Sequence, residues 1–212
     1  MKRIVLIGAG GHAKTVVDTI ELLNEYEIAG FIDDIPVGTI VYRGYKVIGN
    51  DNDARAIYSS GVDKAFISIG FIGNSDIRSK LFSHYKSIGF EFPSVIEPTA
   101  YVAKDATIGQ GTYVGRDAVI NVDAVVGDNC IINTAAIIEH ECKVGSFSHI
   151  ACGTVLCGQV SVGTNTFVGA NATIIQCLSI GNDCIIGAGT VVRKNITDSK
   201  TVVNLDRVVE LN

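Results

Sequence analysis

Every sixth residue from Ile96 to Val192 is Ile, Val or Leu, seventeen positions in a row without a slip of register. The fourth residue after each is Ala, Ser, Thr or Cys in fourteen of the seventeen steps, as at Ala118, Ala124, Cys130 and Ala136. On a helix of 3.6 residues per turn a period of six would scatter these residues round all sides, so a helix is excluded. The pattern fits a stacked coil. Each hexapeptide supplies a short strand and a corner, and three close a triangular turn of about eighteen residues. Seventeen of them make between five and six turns, with the aliphatic residue pointing inward onto its equivalents above and below. The small residue takes a tight corner. Three of the six cysteines, Cys130, Cys142 and Cys184, fall in that slot and read as small apolar residues. Gly follows the aliphatic residue at 109, 115, 127, 145, 163, 169, 181 and 187. The expectation is that it serves corners needing positive φ.

The first ninety residues lack this period. Lys2–Gly8, Ile28–Asp33 and Ala65–Gly70 are predicted as strands, with helices over 11–24 and from about Asn74 to Lys86. This βαβ alternation implies a small parallel sheet. Between the first strand and helix, Gly8-Ala9-Gly10-Gly11-His12-Ala13 fits GxGxxA. Such a turn brings backbone N–H groups and a helix N-terminus to a phosphate, and Asp33 stands where a ribose contact is expected. A tight turn without a ligand is the plainer alternative. A six-stranded dinucleotide domain does not fit into ninety residues. The chain therefore divides into an α/β nucleotide-binding domain, 1–92, and an all-β coil domain, 93–212.

A net charge of −5 with no Lys/Arg block gives no support to nucleic-acid binding. No apolar stretch reaches the length of a membrane span, and the run Ile4–Ile7 is too short for a signal peptide. A cytoplasmic protein is expected, its cysteines reduced and outside any CxxC pair.

The hexapeptides resemble those of the hexapeptide-repeat acyltransferases, whose parallel β-helix is left-handed. The handedness comes from the resemblance, since the usual crossover rule points the other way. A shortened nucleotide-binding domain before such a coil is similar to the sugar O- and N-acetyltransferases. These include sialic acid O-acetyltransferases and the acetyltransferases of nucleotide-linked 4-amino sugars such as bacillosamine and perosamine. The resemblance implies that Gly10, Gly11, His12, Asp33, Asp34 and Gly70 hold the nucleotide sugar. Asn74 and Arg78 match an N…R pattern, in which Arg78 serves a phosphate or is simply solvated. It also implies acetyl-CoA as co-substrate, lying along the coil between the subunits of a homotrimer, near the backbone of Ala170 and Ala188.

Acyl transfer needs a base, and neutral imidazole suits it. In the resembling family the histidine of an EHE-type segment has this role, which falls on His140. The adjacent Glu141 can orient the ring, and a backbone N–H at a turn is the expected donor to the oxyanion. His149 maps to the acetyl-CoA end of the site and Asn133 to a supporting position. Glu139 reads as a solvated turn residue, His84 as an exposed helix histidine, and Cys142 as core rather than nucleophile. The zinc enzymes that share this coil need three histidines, and the coil here has two, so no metal is expected. The family ends its coil with a segment like VGNPA. Here Val202-Val203-Asn204-Leu205-Asp206-Arg207 lacks that Gly and Pro, so the far end of the CoA cleft is expected to differ. The expected reaction is acetylation of the amino group of a nucleotide-linked amino sugar. The alternatives are sugar O-acetylation, as of sialic acid, and a non-catalytic nucleotide-binding scaffold, which would have no need of the His140–Glu141 pair.

Overall fold

The computed structural model describes residues 1–72 and 76–203. Asn74 and the segment from Asn204 onward lie outside them.

The N-terminal part runs β1 (Lys2–Ile7), α1 (Gly11–Leu23), β2 (Tyr26–Ile32), β3 (Ile40–Tyr42), β4 (Tyr45–Gly49), α2 (Ala54–Ser59), β5 (Lys64–Ile67) and α3 (Asp76–Ile88). The sheet order is β3-β4-β2-β1-β5, with β1 parallel to both its neighbours. Alternation divides β1 cleanly. Ile4 and Leu6 face α1 and the coil, while Val5 and Ile7 face α2 and α3. On α1 the buried residues Ala13, Val16, Val17 and Ile20 form the stripe that seats the helix. The sheet is mixed, not wholly parallel as the βαβ pattern implied. β3 and β4 form an antiparallel hairpin through Arg43 and Gly44, both at positive φ. β3 is short and buries no residue, so it carries no alternation to read, while β4 buries Val47 and Gly49 but turns the apolar Ile48 outward.

From Val95 the chain winds as a left-handed parallel β-helix. Its two-residue strands pair with those eighteen residues on: Val119 lies beside Ile137, and Ile137 beside Val155. The inward aliphatic residues form one buried column from Val114 to Val192, each contributing on the order of 2 kcal/mol by burial. The small-residue slot is buried too over most of its length, and its polar members are hydrogen-bonded except Thr190, whose buried hydroxyl has no partner among the described residues. The hydroxyls of Thr112, Ser148 and Thr166 donate to the carbonyls of Gly127, Gly163 and Gly181, and the Cys130 thiol donates to that of Gly145.

The corners correct the reading of the glycines. Positive φ recurs at every sixth residue from Gly111 to Gly189, two places after the expected position. Nine of these fourteen residues are Gly, Asn or Asp, which enter the left-handed region at least cost. The glycines that follow the aliphatic residue have another cause. A Cβ on Gly145 would lie 2.6 Å from the carbonyl carbon of Gly163, and Gly109, Gly127, Gly163 and Gly181 would likewise collide with the next turn of the coil. Close stacking of corners requires them.

The coil has three faces. The first, with outward Tyr113, Ile131 and Phe167, is covered by the N-terminal domain. The second turns Tyr101, Val119, Ile137, Val155, Thr173 and Val191 outward. The third shows Thr107, Val125, Lys143, Ser161 and Ser179.

Candidate active site

β1 ends at the glycine turn, and Gly10 caps α1 without any side-chain hydrogen bond. A Cβ at Gly10 or Gly11 would meet nothing within 4 Å, so the helix N-terminus is open to a ligand. Asp33, at the end of β2, accepts from the Ala9 N–H at 2.8 Å and from the Ile35 N–H at 3.3 Å, which ties it to the turn. Beside it lies a cavity of about 540 Å³. Asp33, Asp34 and Asp51 meet Lys80 and His84 there, over an apolar floor that includes Ile32, Ile69 and Leu81. A flat base fits such a floor, and the carboxylates suit hydroxyl or ring N–H donors. Sequence reasoning missed Asp51 and Lys80 and took His84 for a bystander. Their only signal was polar character, which most surface residues share.

His12 does not line this cavity. Its ring meets Tyr113 edge-on at 5.0 Å between centroids, and Nε2 is buried without a partner among the described residues. Gly70 packs against it, since a Cβ there would lie 3.4 Å from that of His12. Burial, helped by the nearby Arg78 charge, pushes the His12 imidazole down to about 3.

His149 sits on the first face beneath the β5–α3 connection. Its Nδ1 is 2.9 Å from the Phe71 carbonyl, an acceptor only, so Nδ1 carries the proton. The other nitrogen, Nε2, lies 3.3 Å from the Asn133 side-chain nitrogen. The Asn133 oxygen accepts from the Thr134 N–H at 2.8 Å, which fixes the amide orientation. Burial between Phe71 and Phe167 lowers His149 to about 4, so it is neutral at pH 7. Arg78 is not solvated. It is 1% exposed, donates to the Asn129 carbonyl at 2.7 Å and lies over the Phe71 ring. Burial lowers it to about 10.

His140 stands at the corner between the second and third faces, half exposed. Its Nδ1 is 3.2 Å from Glu141 Oε2, so Nδ1 holds the proton and Nε2 is the basic nitrogen. Glu141 takes the left-handed corner position and also accepts from the Gln159 amide at 2.9 Å. That amide first, and His140 next, hold its carboxyl below the usual range. Directly below lies Gly158, whose N–H has no hydrogen-bond partner among the described residues. Glu139 is not idle, for it accepts from the Asn121 amide at 3.0 Å.

Ala170 and Ala188 stack at the corner between the first and second faces, and their N–H groups are likewise without partners among the described residues. At the remaining corner, side chains from the next turn fill this role. Asp128, Ser146 and Asn182 accept from the N–H groups of Gln110, Asp128 and Thr164. The buried Cys142 donates its thiol proton to the Cys157 carbonyl, and burial raises it to about 11, so it is no nucleophile. Among the described residues no three His, Cys, Asp or Glu converge on a metal position. No described helix is long and apolar enough to cross a membrane.

One chain does not bring these parts together. In a triangular coil the corner bearing His140 lies opposite the first face, which the N-terminal domain covers.

The model of the PglD N-terminal domain matches residues 3–85, and that of the hexapeptide repeat of succinyl-transferase matches 159–194. A GDP-perosamine N-acetyltransferase from Caulobacter crescentus, solved as a histidine-to-alanine variant with CoA and GDP-perosamine, is 33% identical. It covers 95% of this chain and 93% of its own, with a TM-score of 0.89. The acetyltransferase domain of PglB from Neisseria gonorrhoeae, solved with acetyl coenzyme A, is 33% identical over 96% of each chain, with a TM-score of 0.88. The UDP-N-acetylbacillosamine N-acetyltransferase of Bacillus subtilis is 32% identical over 114 residues, 53% of this chain. Matches to curated relatives span half or less of those proteins' own length. With identity above 30% across nearly the whole of two solved chains, this protein belongs to the family of hexapeptide-repeat sugar acetyltransferases that carry a PglD-type N-terminal domain.

Proposed function

We propose that this protein transfers the acetyl group of acetyl-CoA to the amino group of a nucleotide-linked amino sugar, with His140 as general base. The observation that carries the reading is the His140–Glu141 pair, which leaves Nε2 as the basic nitrogen over Gly158, whose N–H has no partner among the described residues. In the reaction Nε2 accepts a proton from the amine as its nitrogen attacks the thioester carbonyl. The Gly158 N–H donates to the oxyanion that forms. On collapse the C–S bond breaks, and the imidazolium returns its proton to the leaving CoA thiolate. Glu141 stabilises the imidazolium in between.

The cavity at Asp33 and Asp34 would take the nucleotide, and the open N–H groups of Gly10 and Gly11 its phosphates. Ala170 and Ala188 would receive the amide carbonyls of CoA. These parts would meet between copies, and the family resemblance makes the proposed working unit a trimer. The apolar second face, flanked by the His140 and the Ala170 corners, is the surface through which copies would pack. The nucleotide amino sugars named in the Caulobacter and Bacillus relatives favour an amine acceptor over a hydroxyl.

Thiol release from acetyl-CoA would be measured with UDP-, GDP- and dTDP-linked 4-amino sugars, and with free and CMP-linked sialic acid. Turnover with a nucleotide amino sugar is expected. Turnover with sialic acids alone would replace this reading by O-acetylation, and none at all would favour a scaffold. His140→Ala is expected to cut kcat by roughly 1,000-fold, and undiminished turnover would remove the base assignment.

A further inference from the structure

We infer that Gly158 is a positioning residue whose missing side chain provides the seat of the His140 imidazole. A Cβ at Gly158 would lie 2.4 Å from His140 Nε2, 2.6 Å from Cε1 and 3.1 Å from Cδ2. These three nearest atoms all belong to that ring. Neither the backbone nor the stacking of the coil asks for glycine here. Its φ is outside the left-handed region, so the backbone accepts any L-residue. The stack accepts side chains too, because the equivalent positions one turn away carry His140 and Gln176, and Val122 lies a turn further up. Gly109, Gly127, Gly145, Gly163 and Gly181 differ in kind, since a Cβ on each would strike backbone atoms of the next turn of the coil.

The ring is therefore held on two sides. Glu141 binds Nδ1, and the bare Gly158 surface lies beneath Nε2. One methyl group at 158 would force the imidazole to rotate, stretch its bond to Glu141 and carry Nε2 away from the acceptor amine. The backbone N–H at 158 would remain, so the oxyanion donor is unaffected. This inference rests on His140 acting as base.

The test is Gly158→Ala in the full-length protein, measured beside His140→Ala and the double variant. Gly158→Ala is expected to keep the fold, assembly and thermal midpoint of the parent. Its kcat should fall on the order of 100-fold, as for a reacting group misplaced by about an ångström, with KM for both substrates little changed. The imidazole ¹⁵N resonances of His140 should shift, because the contact with Glu141 is broken. In the His140→Ala background the extra methyl should cost nothing further, since the ring it displaces is gone. Parental kcat in Gly158→Ala, or unmoved His140 resonances, would overturn the inference. So would an equal further loss in the His140→Ala background, or failure of the double variant to fold. If His140→Ala itself is fully active, the base assignment falls, and the resonances still decide whether Gly158 seats the ring.

Discussion

The second and third faces of the coil are built on the same inward column and differ in what they turn outward. The second presents Tyr101, Val119, Ile137, Val155, Thr173 and Val191, while the third presents Thr107, Val125, Lys143, Ser161 and Ser179. Their corners differ in the same sense. Both corners beside the second face leave N–H groups without partners among the described residues, at Gly158, Ala170 and Ala188. The corner between the third and first faces is closed by side chains and by five stacked glycines. Folding uses the inward residues and the closed corner. Of the two faces left uncovered, the apolar one lies between the two open corners.

Paired charge insertions break this comparison most directly. Val155→Arg on the second face is expected to dissociate the proposed trimer and abolish turnover, while Ser161→Arg on the third leaves both intact, as read by light scattering and thiol release. A trimer that survives Val155→Arg would mean that copies do not meet on the apolar face. The first face supplies the next largest effect, through pH. His149 is held near 4 in the fold against 6.5 unfolded, so the unfolded chain binds the extra proton. Stability is full above about pH 6.5 and is lost as pH falls toward 4, by about 3 kcal/mol for this group. His149→Phe, which matches its neighbour Phe167, should lower the slope of that part of the stability–pH curve in denaturant titrations, leaving the slope that His12 contributes over the same range. A curve unchanged by the substitution would move the acid sensitivity elsewhere. The closed corner gives the smallest effect. Gly145→Ala should cost about 2 kcal/mol by overpacking, lowering the denaturation midpoint without altering the kcat of the folded enzyme. Its counterpart Gly158→Ala should do the reverse, and equal stability losses in the two would erase the distinction between structural and positioning glycines.

The coil was legible because its signal is local and repeated. Inward residues at every sixth place, and small residues four places on, can be counted without knowing any contact. The glycines at 109, 127 and 145 were visible as well, but their cause was misread. Their constraint comes from the turn above, eighteen residues away, and not from their own φ. The β3–β4 hairpin escaped notice because β3 is a short edge strand under little demand to alternate, and β4 turns the apolar Ile48 outward, which blurs its pattern in the sequence. Asp51, Lys80 and His84 reach the cavity of Asp33 only through the packing of α3 and the turn after β4. Arg78 looked like a helix-surface residue and is buried against the coil.

The sequence by itself determined the two-part organisation, the coil with its period and inward column, the glycine turn, and His140 with Glu141 as the candidate base. Each is a property of neighbours along the chain or of a strict repeat, where covalent geometry alone sets the spacing. The tertiary structure alone decided which face is covered, which corners stay open, which glycine seats the imidazole, and that the nucleotide turn and His140 point away from each other within one chain. These depend on how distant segments pack, and packing follows from shape and burial in three dimensions that no single stretch of sequence encodes.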